Sequence, residues 1–210
     1  VLFAVPWLGK VVVGTTDTPL NKSSLEPKAL DEEIEFILRT AGRYLSKAPQ
    51  RSDVKSVFAG LRPLAATKGD GSKTKEISRN HKIMFSDSGL VTMIGGKWTT
   101  FRRMAQDLVD KSERHFNLSA THSVTPTMKI HGHTEYKDLN DSMYVYGSDK
   151  EKIMQIAVNE PEYNTYIDEE LRIHAAQVVW AVRKEMARTI EDVLARRTRC
   201  LLLDARQSII

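Results

Sequence analysis

From Asn117 to about His133 the chain loses its hydrophobic periodicity and turns polar, with Ser, Thr, His and Pro126 in the run. A stretch of that kind extends neither a helix stripe nor a strand face, so it reads as the connection between two domains. The pattern differs on its two sides. Before it, apolar residues come in short strand-length runs broken by turn residues, with two helical stretches among them; after it they recur at intervals of three and four. The expected fold class is therefore α+β: a mixed sheet segment in residues 1–118, followed by a small all-α domain in residues 125–210.

Within the first part, residues 2–7 and 10–15 read as strands joined by Leu8 and Gly9, a spacing that suits a tight hairpin. The chain is strand-like from its first residues and has no basic leader, so it is expected to begin inside a domain and not with a signal peptide. Asp31 is placed to cap a helix whose buried stripe is Ile34, Ile37, Leu38, Ala41, Tyr44 and Leu45. Residues 54–61 read as a strand stopped by Arg62-Pro63, because proline removes a ladder donor and holds its predecessor extended. After the polar loop 67–75, residues 76–79, 82–85 and 90–94 read as strands, with Ser86-Asp87-Ser88-Gly89 as the turn between the last two. A helix is expected from about Trp98 to His115. In the second part, helices are expected over 150–158 and 169–186, and a third opens at Thr189 with Asp192 as a capping box and runs through Leu202.

Composition narrows the class. At 41% hydrophobic and 28% charged, the chain is neither disordered nor fibrous. No apolar run approaches the ~20 residues of a spanning helix. The single cysteine, Cys200, excludes an intrachain disulfide, reads as a small buried hydrophobe, and points to a reducing compartment such as the cytoplasm. A net charge of +4 suits acidic partners in general, but no aromatics interleave a basic stripe and no zinc-finger spacing occurs, so nucleic acid is not expected.

The strongest chemical signal is a strand, then Gly95-Gly96-Lys97, then a helix whose first turn holds Thr99 and Thr100. Free N–H groups at a helix start carry about half a positive charge, and glycines let a ligand approach the backbone. A P-loop is excluded on two counts: its first glycine would fall at Val91, and the residue after the lysine is Trp98 instead of Ser or Thr. A diglycine turn that only packs strand against helix is the plainer reading of the motif by itself. Arg62 ends an apolar strand, where a guanidinium needs an anionic partner, Arg79 lies between strands, and each alone reads as a salt-bridged surface arginine. With Lys97 they make a set of cations at strand ends, as a pocket for a small phosphorylated ligand requires. His131-Gly132-His133 lacks a further ligand at a matching interval and reads as an exposed loop, so no metal is expected. His81, His115, His122 and His174 show no catalytic partner in the sequence. Arg196, Arg197 and Arg199 read as a solvated helix face or, on the alternative, as a surface for acidic membranes.

Five strings in order, namely Gly14-Thr15-Thr16-Asp17-Thr18, Gly60-Leu61-Arg62-Pro63-Leu64, Ile77-Ser78-Arg79-Asn80-His81, Gly95-Gly96-Lys97-Trp98-Thr99-Thr100-Phe101-Arg102 and Ala195-Arg196-Arg197-Thr198-Arg199, resemble the FAD-dependent glycerol-3-phosphate dehydrogenases of the respiratory type. The resemblance implies the C-terminal portion of a flavoprotein that oxidises sn-glycerol 3-phosphate to dihydroxyacetone phosphate. Hydride would pass from C2 to flavin N5, and electrons would go on to membrane quinone. It implies that Arg62 orients and stabilises the substrate, that Arg79 and Lys97 hold its phosphate, and that Gly95, Gly96, Lys97, Trp98 and Thr99 face FAD. It also implies a cytoplasmic protein peripheral to the inner membrane, and is compatible with a homo-oligomer. The dinucleotide fingerprint G-x-G-x-x-G is absent from these residues, and the histidine proposed as the family's general base falls outside them, so the chain alone is expected to be inactive. A glycerol-3-phosphate oxidase using oxygen, and a helical interaction or membrane-docking module, are the alternatives.

Overall fold

The computed structural model describes residues 2–20, 22, 24–61, 80–135 and 138–209. They form two compact units. The first holds the N-terminal residues as far as Thr18, Ser24–Gly60, and everything from His131 onward. The second holds the stretch between Leu61 and Ile130, with a short piece beginning at Pro19. The architecture is α+β. Among the described residues the strands make three two-stranded antiparallel ribbons, accompanied by helices in both units.

In the first unit, β1 (Phe3–Trp7) pairs with β2 (Lys10–Gly14) in the register Trp7↔Lys10. Leu8 and Gly9 both take positive φ, 45° and 75°, which is the geometry of the two-residue turn that matches strand twist. Pro6 lies opposite Val11, one step from the turn, where the alternation of an antiparallel ladder calls for no N–H. Helix α1 (Asp31–Ala41) starts differently from expectation. Asp31 is its first helical residue and does not cap it; the free N–H of Leu30 instead donates to Glu33 Oε2 at 3.0 Å, and Thr18 Oγ1 donates to Glu33 Oε1 at 2.6 Å. Those two bonds, Thr18 first, hold the Glu33 carboxyl below the usual carboxylate range. Residues 54–61 join no ribbon among the described residues. Their backbone is tied to the C-terminal helices, with Ala205 N–H donating to the Lys55 carbonyl at 3.1 Å and Ser56 Oγ to that of Leu201 at 3.0 Å.

The principal core of this unit lies where α3 (Lys150–Asn159) packs on α4 (Ala175–Lys184): Met143, Ile153, Ala157, Ala176 and Trp180. Ala157, Ala176 and Ala181 let the two backbones approach. Helix α4 begins six residues later than the expected 169–186, and the cause is local. Asp168 Oδ1 accepts from Leu171 N at 2.6 Å, Arg172 takes a left-handed φ of 55°, and β5 (Tyr166–Asp168) pairs with β6 (Ile173–His174). His174 then caps α4, its Nδ1 accepting from Ala176 N at 3.2 Å while its own N–H donates to Gln177 Oε1 at 2.6 Å. Thr189 and Asp192 do form the expected reciprocal cap. The helix they open is interrupted at Arg199, φ 62°, before α5 (Cys200–Leu203). Cys200 is buried, as its small apolar character suggests.

The second unit is simpler. Strands β3 (Lys82–Phe85) and β4 (Val91–Ile94) pair through a turn at Ser86–Gly89, where Gly89 takes a φ of 82° and donates to the Ser86 carbonyl at 2.9 Å. One helical turn, Trp98–Thr100, leads into α2 (Phe101–His115). The end of α2 is fastened back by a stack of the His115 and Phe85 rings, 4.0 Å between centroids. No helix among the described residues is long and apolar enough to cross a membrane.

Candidate functional site

The diglycine turn between β4 and α2 is built as the sequence suggested. Gly95 and Gly96 both hold positive φ, 77° and 84°, a conformation that costs an L-residue about 1–2 kcal/mol. Gly96 also has no room for a side chain: a Cβ there would lie 2.5 Å from Met104 Sδ and 3.2 Å from His81 Cβ. The turn therefore places bare backbone directly before a helix start.

That start is open. Lys97 occupies the cap position in extended geometry, and no side chain caps the helix. The Lys97 carbonyl accepts from both the N–H and Oγ1 of Thr100, at 3.0 and 2.9 Å. No acid sits in the first turn of α2, so no side chain of that turn offsets the positive end of its dipole. Lys97 is exposed and makes no ion pair among the described residues. Trp98 is 88% exposed and Phe101 59%, their rings 6.0 Å apart, an aromatic pair presented to solvent beside the cation. Glycine backbone, free amides, a cation and an aromatic face together suit an anionic group carried on a planar ring.

Of the three cations singled out in the sequence, Lys97 alone lies among the described residues; Arg62 and Arg79 lie outside them, as does the strand expected at 76–79. The two arginines in the first turn of α2 are already engaged. Arg102 donates to Gln106 Oε1 and Thr125 Oγ1, and Arg103 pairs with Asp107 at 3.0 Å. His81 has a partner that the sequence did not reveal: its Nε2 lies 3.1 Å from the other oxygen of Asp107.

In the first unit, a cavity of about 660 Å³ is lined in part by His131, Asp149, Lys152, Trp180, Arg183 and Glu185. Its charges are largely spent on one another. Asp149, almost fully buried, meets Lys152 at 2.8 Å and is touched by His131 Nε2; Lys152 first and His131 second hold its carboxyl below the ordinary value despite burial. Arg183 forks onto both oxygens of Glu160 at 2.5 and 2.9 Å. Burial pushes the Glu185 carboxyl up, against the pull of Arg197. His131 is thus exposed yet tethered, and no group of three metal-ligating side chains occurs among the described residues. Arg196, proposed for a membrane face, is held by Glu191 at 2.8 Å and Asp192 at 3.0 Å.

Residues 88–209 match the family described as the C-terminal domain of alpha-glycerophosphate oxidase. The chain belongs to this family. Similar proteins extend the likeness to the other residues. A mitochondrial glycerol-3-phosphate dehydrogenase of Mus musculus is 34% identical across 97% of the chain, and a probable one of Caenorhabditis elegans 37% across 97%. The glycerol-3-phosphate dehydrogenase of Synechocystis is 34% identical across 93%. The chain spans only 31%, 31% and 39% of these proteins, about a third of their length. Among solved structures, the glycerol-3-phosphate dehydrogenase of Bacillus halodurans, complexed with FAD, superposes on 98% of the chain and 43% of its own, with a TM-score of 0.74 and 27% identity.

Proposed function

We propose that this chain forms part of a flavoprotein that oxidises sn-glycerol 3-phosphate to dihydroxyacetone phosphate, with FAD as the immediate acceptor and a membrane quinone as the next. The observation that carries this reading is the open helix start at Gly95-Gly96-Lys97, which fits an anionic group and a ring, in a chain whose curated relatives are glycerol-3-phosphate dehydrogenases. Bound FAD supplies an acceptor for the two electrons released when the C2 carbon loses its hydrogen and the C2 hydroxyl its proton. The chain's own share is electrostatic and positional. Amides of Trp98 and Thr99 aim the positive helix end at negative charge that develops on the acceptor, and Gly95 and Gly96 permit close approach. Lys97, with Arg79, holds the substrate phosphate, and Arg62 orients the carbon to be oxidised; the two arginines enter on sequence alone. Residues 1–118 then belong to the cofactor and substrate region, and residues 125–210 to a helical domain at its C-terminal side. In the cell the protein would work peripherally at the inner membrane, on its cytoplasmic face.

The test is direct. Holoprotein should carry flavin and reduce a quinone analogue when given glycerol 3-phosphate, and Lys97→Met should raise KM by on the order of tenfold or more through loss of a charged phosphate contact. A whole flavoprotein-sized chain that carries no flavin, or does not turn over this substrate, overturns the reading. These 210 residues alone hold no dinucleotide fingerprint and are proposed to retain no FAD. A second acceptor is favoured by the family description, which names an oxidase. Hydrogen peroxide formed in step with substrate, with quinone analogues inert, would identify oxygen as the acceptor. Membrane docking through Arg196 draws less support, since two carboxylates already neutralise that guanidinium.

A further inference from the structure

We infer that His81 is a positioning residue that fixes the diglycine turn and the start of α2, a role that rests on the proposed function for what the helix start faces. The turn cannot hold itself. Two successive glycines at positive φ have no side chains to pack, and glycine is the residue with the most freedom to lose. His81 stands where it can supply what they lack.

It immediately precedes β3, whose first residue Lys82 pairs with Ile94, the last residue of β4. His81 therefore sits across the ladder's end from the diglycine, and its Cβ packs against the place a Gly96 side chain would occupy. From there the imidazole reaches the second turn of α2, with Nε2 3.1 Å from Asp107 Oδ2. The second carboxylate oxygen is taken by Arg103 at 3.0 Å, which keeps the acceptor fixed. His81 and Asp107 side chains are each only 23% exposed, so the bond is largely shielded from water. Strand end, turn and helix are thus closed into one loop of contacts by a single ring. Met104, one turn before Asp107, presses on Gly96 from the helix side. Because Nε2 is occupied by Asp107, the ring acts through the backbone it holds and leaves the reacting atoms to others.

The experiment is a double-mutant cycle in the holoprotein, reading the dissociation constant for FAD after flavin removal and, alongside it, the melting temperature. His81→Ala and Asp107→Ala should each weaken FAD by on the order of tenfold. The double variant should weaken it no further than Asp107→Ala alone, since the His81–Asp107 bond is already lost there together with that to Arg103. His81→Gln, whose amide donates from a comparable reach, should recover most of the loss; Asp107→Asn serves if an alanine variant does not fold. FAD affinity unmoved while melting falls, or single effects that simply multiply, would overturn the inference and leave the proposed function standing. An unaltered protein that binds no FAD would overturn both.

Discussion

The α3–α4 pair and the β3–β4–α2 assembly are made from similar numbers of apolar residues and use them differently. In the first, Ile153 and Ala176 are completely buried and Trp180 nearly so. In the second, α2 buries no residue, although it is strongly amphipathic in sequence, and Trp98 and Phe101 stand in solvent. One region is held by close packing, the other by specific pairings: a turn, a ring stack and the His81–Asp107 bond. Close packing and the candidate site are thus separated along the chain, and the candidate site lies where fewer side chains are buried, as low local stability at a ligand-binding surface would have it.

The sharpest way to break this contrast is to remove a side chain from each region. Ile153→Ala should cost about 2–5 kcal/mol, because a closed core cannot collapse around the cavity. Val109→Ala in α2, where half the side chain already meets water, should cost less than about 1 kcal/mol. Denaturant titration of the two variants measures both. Equal losses would mean that the second unit has a core its exposures do not reveal.

Gly96→Ala comes next. Its φ of 84° and the 2.5 Å approach of Met104 Sδ force either the helix or the methionine to shift, for about 1–3 kcal/mol. Gly89→Ala shares the unfavourable φ but meets nothing within 4 Å. The difference between them, read by thermal melting, isolates the steric part from the conformational part and should be restored partly by Met104→Ala in the Gly96 variant.

A third effect is smaller and depends on pH. Burial depresses the His174 pKa below its usual value near 6.5, and Nδ1 must be unprotonated to accept from Ala176. The unfolded chain then binds the proton more readily than the folded one, so this contribution is complete above the unfolded pKa and is lost as pH falls below it. His174→Asn keeps a cap acceptor worth about 1 kcal/mol and removes the titration. Unfolding free energies between pH 7 and 5 should fall in the parent and fall less in the variant. The buried acids add a later loss: Asp149 and Asp204 are held low by Lys152 and Lys55 first, so their stabilisation disappears only as pH drops through the acid range below 4.

The same contrast explains what could be read in the sequence. Ribbons β1–β2 and β3–β4 announced themselves because their turns need particular residues, Leu8-Gly9 and Ser86–Gly89, and α2 followed from its period. The late start of α4 was hidden, since Asp168, just before the expected helix, and His174, inside it, redirect the backbone through side-chain bonds that no periodicity reports. Residues 54–61 looked like a strand because an apolar run there stops at Arg62-Pro63, but Lys55 and Ser56 bond to Ala205 and Leu201 at the C-terminal helix, which no local pattern identifies. The diglycine turn before a helix was legible in Gly95-Gly96-Lys97, whereas the bond from His81 to Asp107 joins positions far apart in the chain and had no local signature.

The smallest expected change in stability carries the most information about the division of labour. Trp98 is 88% exposed and touches little beyond the ring of Phe101, so Trp98→Ala should alter unfolding free energy by no more than about 0.5 kcal/mol. A large aromatic left in water at an open helix start is free to meet a partner. On the proposed function that partner is the cofactor ring, and flavin affinity in the holoprotein should fall well beyond what so small a change in stability could produce. If affinity and turnover are both untouched, Trp98 belongs to a different contact surface, and the assignment of this helix end to the flavin must be given up.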